Sequence, residues 1–188
     1  MLNHYQIRKP LIILNDYNEV RVFPQIIERL KSGENLALVS DAGTPLISDP
    51  GYKLVRGCIA QNIPIDSLPG PSSILPALAL SGLPPDKFMF LGYLPEKPGR
   101  RIRFLELLRT MNQELQTTFI IFVAPHKLVR TIESFKEVFG DIEITLAHEL
   151  TKIHQSVETK STEEWLQALN PPAGGPKGEY ILLFRLSS

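Results

Sequence analysis

Cysteine occurs once among the 188 residues, at Cys58, so the chain can form no internal disulfide. Tryptophan also occurs once, and aromatic residues make up only 8% of the chain. No apolar run reaches the roughly 18 residues needed to span a bilayer. Met1 is not followed by a basic stretch and an apolar core, the pattern of a secretory leader. An excess of charge is missing as well. Twenty basic residues face twenty acidic ones, so net charge gives no argument for a nucleic-acid partner, and any such argument must come from local clusters. No His, Cys and Asp residues recur at metal-ligand spacing, which predicts no metal site. No internal repeat or low-complexity tract occurs. Together these absences point to a soluble, cytoplasmic protein without membrane contact. What is abundant is apolar residues, at 43%, enough for a folded core and against disorder. Cys58 lies among apolar residues in a predicted helix. It is read mainly as a buried thiol, with a reactive one as the lesser alternative.

The hydrophobic pattern predicts an α/β protein. Three short apolar runs read as strands: Pro10 to Leu14, Asn35 to Ser40 and Pro64 to Leu68. Helices are expected over Val22 to Leu30, from Gly51 to Asn62, and from Ile74 to Ser81. Their alternation and short links predict a parallel α/β unit. Gly82 to Asp86 interrupts it, and the boundary is placed so that residues 1–91 form one α/β domain and 92–188 a second. Phe88 to Tyr93 is extended. A helix is expected over Arg101 to Arg109, a strand over Thr117 to Val123 and a helix over Lys127 to Phe139. A strand follows at Ile142 to Ala147, and a further extended piece within Glu149 to Glu158. The next helix runs from Ser161 to Leu169, with Ser161 and Glu164 spaced as a capping box. A Pro/Gly loop at 170–177 leads to a last strand, Tyr180 to Leu186.

Two strand-to-helix loops carry the chemistry. The first, Ser40 to Gly51 (SDAGTPLISDPG), has the small residues Ala42 and Gly43, which let a ligand approach the backbone. It also has Asp41 and Asp49 as acceptors. Such loops sit where open α/β sheets bind ligands, and a plain connector with a helix cap is the competing reading. Its spacing is neither a Rossmann fingerprint nor a P-loop. The second, Pro69 to Ser73, offers hydroxyls and helix-start amides to a carboxylate or carbonyl, unless Ser72 or Ser73 serves only as a cap. Lys97, Arg100, Arg101 and Arg103 place four cations in seven residues. They are read either as phosphate contacts or as a solvated helix start. Phe88, Phe90 and Tyr93 beside them belong to the core or stack on bases. His126 is either a structural cap or a ribose contact. Ser72 and Ser73 have no recognisable partnered base, which disfavours serine hydrolase chemistry.

In order along the chain, DAGTPLISDPG (Asp41 to Gly51) and LPGPSS (Leu68 to Ser73) resemble the signature of the ribosomal RNA small subunit methyltransferase I family, within the tetrapyrrole methylase superfamily. Phe88 to Pro95, Gly99-Arg100-Arg101, APHKL (Ala124 to Leu128), ELTK (Glu149 to Lys152) and KGE (Lys177 to Glu179) continue the match to the end. Leu2 to Pro10 resembles a later part of the family's opening. The family's first strand, its TPIGN-like loop and an EDTR-like segment are not in this sequence, so the first domain is expected to be truncated. Asn15 and Tyr17 stand where the family often has histidines. Val123 replaces a frequent glutamate, and His148 a frequent arginine.

The resemblance implies two α/β domains with an S-adenosylmethionine cleft between them, a homodimer, and methylation of a cytidine ribose 2′-hydroxyl in small-subunit ribosomal RNA. By position it assigns Ala42, Gly43, Thr44, Ile47, Ser72, Ser73, Ala124 and Leu150 to the cofactor. Lys97, Arg100, Arg101 and Arg103 fall to RNA. Asp41, Glu149 and Lys152 are candidates for handling the hydroxyl proton, with an ordinary ion pair as the alternative for the last two. Two other readings are weighed. One is a tetrapyrrole or other small-molecule acceptor, against which the basic run and the ELTK match argue. The other is a catalytically inactive fragment that keeps affinity for cofactor or RNA.

Overall fold

The computed structural model describes residues 2–169 and 175–186. Part of the loop expected at 170–177 lies outside them. The chain divides into two compact units, residues 1–72 and 73–188. The division falls earlier than the expected boundary at 92, because helix α3 (Ile74–Leu80) packs on the sheet of the second unit. Ala77 and Leu78 of α3 are buried there with Ile120, Ile181 and Leu183.

The first unit contains α1 (Glu19–Lys31) and α2 (Tyr52–Ala60), which pack together. The three runs expected as strands, at 10–14, 35–40 and 64–68, carry no strand ladder among the described residues. This corrects the expectation of a formed parallel sheet here. A strand is stabilised by a neighbour about 4.8 Å away that pairs its amides and carbonyls, and these segments do not pair with one another. Their side chains are correspondingly open: Leu11, Ile13, Val39 and Leu68 are all exposed.

The second unit is a five-stranded sheet in the order β1-β2-β5-β3-β4. Its strands are β1 (Phe88–Tyr93), β2 (Thr118–Val123), β3 (Glu143–His148), β4 (Ser156–Ser161) and β5 (Tyr180–Phe184). β1 runs parallel to β2. β5 is antiparallel to both β2 and β3, and β3 to β4. α4 (Pro98–Leu115), α5 (Leu128–Phe139) and α6 (Thr162–Ala168) pack side by side, α5 touching both neighbours. Alternate residues of the central strands supply the core beneath them. Phe119 and Ile121 of β2, Ile144 and Leu146 of β3, and Leu182 and Phe184 of β5 are buried with Leu105, Leu108, Ile132, Phe135 and Trp165 of the helices. The odd–even alternation follows from the two-residue period of a strand.

Local signals explain the helix ends. Pro98 opens α4 at a position where its missing amide costs nothing. The helix therefore starts before the expected Arg101 and runs on to Leu115. Ser161 and Glu164 form the expected capping box of α6. Asp141 adds a third anchor. Its Oδ1 accepts from the Glu163 amide (3.0 Å) and from Thr162 Oγ1 (2.8 Å). Those two bonds hold its carboxyl below the ordinary value. A lowered folded value means that the stabilisation is complete above the unfolded value and disappears as pH falls through the folded one. Urea unfolding followed from pH 7 to pH 3 is therefore expected to show a flatter acid limb for Asp141→Asn than for the parent. Parallel acid limbs would refute the assignment.

Candidate functional site

Because β1 and β2 are parallel, and β2 and β3 both oppose β5, strands β1, β2 and β3 all finish at the same edge of the second unit's sheet. That edge gathers Tyr93, Ala124 and the turn Glu149 to Lys152, with Tyr180 entering β5 beside them. Carboxyl ends of neighbouring parallel strands are where α/β sheets bind ligands. Ala124 is half-buried and its carbonyl accepts from the Lys127 amide (2.9 Å). This shapes a single 3-10 turn, Pro125–Lys127, on which His126 is exposed. Leu150 packs against the core that holds Ile120, Ala147 and Ile181. Tyr93 is exposed, with its ring 5.7 Å from that of Phe122. Phe122 in turn meets Phe90 edge-on at 4.7 Å.

The Glu149 turn is the most constrained part of this edge. Glu149 and Thr151 both have left-handed backbones, with φ of 48° and 66°. For a β-branched threonine this is an outlier. Such residues cost about 1–3 kcal/mol each and persist only where their surroundings hold them. Here the surroundings are polar. The Glu149 amide donates to the Glu179 carbonyl (3.1 Å), and the Glu179 amide donates back to Glu149 Oε1 (2.9 Å). Lys152 Nζ donates to Glu149 Oε1 (3.0 Å) and to Glu179 Oε2 (2.9 Å). The Lys152 ammonium and the Glu179 amide together hold the Glu149 carboxyl below its ordinary value. Glu179, and then Glu149, raise the Lys152 ammonium above its own. His148 stacks on Tyr180 at 4.3 Å and bonds the Lys177 carbonyl through Nε2 (2.9 Å).

In the first unit the two expected loops are tied together: Thr44 Oγ1 donates to the Pro71 carbonyl (2.9 Å). Ser40 Oγ donates to the carbonyls of Ala42 (3.1 Å) and Gly43 (3.0 Å), which curls the loop. Leu46 and Ser48 have positive φ. Ala42, Gly43, Ile47 and the Asp41 side chain are exposed, while Thr44 and Ser72 are half-buried. Gly51 has φ 123°, and a Cβ there would come within 2.9 Å of Leu38. Only glycine fits the start of α2 in this position. Ser73, in the second unit, stands at the N-cap of α3, but its side chain makes no capping bond.

Sequence reasoning missed Glu19. Its carboxylate is 4% exposed and accepts from the amides of Lys53 (3.1 Å) and Leu54 (3.2 Å). The N-terminus of α2 is thus capped from 34 positions away, a pairing that no local pattern announces. Cys58 is buried and its thiol is pushed up by desolvation, which supports the structural reading over the reactive one.

The basic run begins at the N-cap, Lys97, and continues through the first two turns of α4. No acidic residue occupies that first turn, so the positive end of the helix dipole is met by more positive charge, an unfavourable arrangement for the helix itself. Lys97, Arg100 and Arg103 are exposed. Arg101 is turned inward instead: Nε donates to Ser134 Oγ of α5 (2.8 Å) and Nη1 to the Glu96 carbonyl (3.3 Å). Lys127 pairs with Glu96 in the same neighbourhood.

Comparison with known proteins gives this geometry a family. Residues 9–165 match the Tetrapyrrole (Corrin/Porphyrin) Methylases. A ribosomal RNA small subunit methyltransferase I of Thermotoga maritima is 43% identical over 155 residues, covering 82% of this chain and 68% of that protein. Its counterpart in Xylella fastidiosa is 40% identical over 185 residues, covering 97% and 66%. The chain belongs to the ribosomal RNA small subunit methyltransferase I family of tetrapyrrole methylases. It spans about two thirds of the length of these relatives, and 64% of the Haemophilus influenzae protein. Among solved structures, the methyltransferase CobJ has a TM-score of 0.59 at 19% identity, over 89% of this chain and 71% of its own. A uroporphyrin-III C-methyl transferase from Thermus thermophilus, complexed with S-adenosyl homocysteine, has a TM-score of 0.55 at 12% identity, over 88% and 73%. At such identities the likeness shows a shared fold, that of the tetrapyrrole methylases. No helix among the described residues is long and apolar enough to cross a membrane.

Proposed function

We propose that the chain is an S-adenosylmethionine-dependent methyltransferase that modifies a cytidine ribose 2′-hydroxyl in small-subunit ribosomal RNA. The observation that carries this is the family match over nearly the whole chain, joined to a strand-end edge that presents Ala124 and Leu150. The groups present suit the cofactor. In the first unit Gly43 has open space where a side chain would stand, and Ala42 leaves backbone accessible; in the second, Ala124 does the same at its own sheet edge. Ile47 offers apolar surface in the first unit, and Leu150 does so in the second. Thr44 and Ser72 carry hydroxyls on the paired loops of the first unit, and Ser73 carries one at the start of α3 in the second.

When bound, S-adenosylmethionine supplies an electrophilic methyl group, so the protein's task is chiefly to hold the acceptor oxygen in line. Three groups were candidates for its proton. Glu149 is engaged by two donors and its carboxyl is held low, while Lys152 is held protonated between two carboxylates. The Asp41 carboxylate is exposed and unengaged among the described residues, so it is the one free to accept a proton. Lys97, Arg100 and Arg103 would meet RNA phosphates, with Tyr93 available to stack on a base. An RNA acceptor of this kind supports a cytoplasmic location beside assembling ribosomes, and the family resemblance supports a homodimer.

Calorimetric titration with S-adenosylhomocysteine tests the reading. Binding at about micromolar strength, some 8 kcal/mol, is expected. A folded chain that binds none would overturn it.

A further inference from the structure

The KGE segment lies beside the Glu149 turn with a closeness that needs explanation. Gly178 has φ 83°, and a Cβ on it would fall 2.7 Å from Glu149 Oε1 and 2.8 Å from His148 Nε2. Only a glycine lets this segment reach the turn. Its neighbour Glu179 then touches the turn three ways: carbonyl to the Glu149 amide, amide to Glu149 Oε1, and carboxylate to Lys152. The first two contacts use the main chain of Glu179, one to the Glu149 amide and one to the Glu149 carboxylate, and fix the register. The third is the only one that depends on the identity of residue 179.

We propose that Glu179 is a positioning residue, which acts through Lys152 to keep the turn Glu149 to Lys152 in its left-handed form and so hold Leu150 at the sheet edge. Lys152 is the link, because among the described residues it alone has a side chain that bonds both carboxylates. The turn would otherwise relax. Apart from its bonds to Glu179, the turn is held by three bonds among the described residues: the Lys152 amide to the Glu149 carbonyl (3.0 Å), the Thr151 amide to Gln155 Oε1 (2.6 Å) and the Gln155 amide to the Lys152 carbonyl (3.1 Å), beside the Lys152–Glu149 ion pair. Two left-handed non-glycine residues in three positions favour an extended alternative whenever outside support is lost. Glu149 and Lys152 thereby become parts of a scaffold rather than reagents. The proposal rests on the preceding reading only in taking Leu150 as a cofactor contact.

The test uses the full chain and two measurements: amide hydrogen exchange at Thr151 and Lys152, and affinity for S-adenosylhomocysteine. Glu179→Gln and Lys152→Met are each expected to speed exchange at both amides and to weaken binding, by about threefold to tenfold. The double variant should be no worse than Lys152→Met alone, since Glu179 acts through that lysine. Lys152→Arg should restore both readouts to within about twofold, because it can bridge the same two carboxylates. Trp165, the single tryptophan, lies in the helical core away from the turn, so its unfolding transition should stay in place. Unchanged exchange in both single variants, or fully additive losses in the double, would overturn the clamp. Exchange that responds as expected in a chain without affinity for S-adenosylhomocysteine would support the clamp and overturn the cofactor reading instead.

Discussion

Phe184→Ala is expected to destabilise the second unit by about 3–5 kcal/mol, the usual range for a buried phenylalanine truncated in a core. Phe184 is fully buried at the end of β5 and meets three other rings. It stacks on Phe119 at 5.1 Å, meets Phe135 edge-on at 4.7 Å, and lies 5.8 Å from Phe139. Alanine would forfeit the transfer of the ring and all three aromatic contacts, and would leave a void between β2 and α5. The rings around it sit on both β2 and α5, so closing the void would require the helix to shift against the sheet. Urea unfolding followed by Trp165 fluorescence reports on this unit alone. Trp165 is buried there, with its indole amide donated to the Ile144 carbonyl at 2.8 Å. Leu107→Ala, on the exposed side of α4, serves as the control, with a change within about 0.5 kcal/mol. A Phe184→Ala loss below about 1 kcal/mol would mean that the aromatic cluster is not the centre of the core.

The second large effect concerns RNA. Replacing Arg100 and Arg103 together by alanine is expected to weaken binding to a small-subunit RNA fragment by about tenfold or more near physiological salt. The slope of log affinity against log salt should also fall by about 0.7–0.9 for each lost phosphate contact. Both side chains are exposed on a helix start that gains nothing electrostatically from them, so the double variant should fold as well as the parent or better. Arg101→Ala is expected to behave differently. Its guanidinium joins α4 to Ser134 of α5, and its loss should lower the midpoint of unfolding while leaving the salt slope nearly unchanged. A double variant that binds RNA at full strength with an unaltered slope would remove the patch from the interface.

Much of the second unit was legible in the sequence, because its elements announce themselves locally. A run of β-branched and aromatic residues marks Thr118 to Val123, Ser161 and Glu164 mark a capping box, and Gly140 ends α5 where the helical period stops. What was not legible depends on partners distant in sequence. Strand order is set by pairing, and nothing in Tyr180 to Phe184 says that it lies between β2 and β3 rather than at an edge. The runs at 10–14, 35–40 and 64–68 have the composition of buried strands, but composition does not supply a neighbour to bond. The candidate site shows the same limit. The small-residue loops stood out by type, and their resemblance named them. The inward turn of Arg101, the cap provided by Glu19 and the grip of Glu179 on Lys152 are tertiary facts. Each joins residues that no window of sequence holds together.

The place of β5 also bears on how the protein is made. Residues 118–123 and 143–148 leave the ribosome well before residues 180–184, yet the two strands they form meet only through β5. Until it arrives, the nascent chain holds two separate strand pairs, β1-β2 and β3-β4, each with a raw hydrogen-bonding edge and an uncovered apolar face. Such edges are ready templates for mispairing, and closing contacts between distant segments is slow. Between the emergence of β3 and that of β5, the two strand pairs keep edges that only the later segment closes.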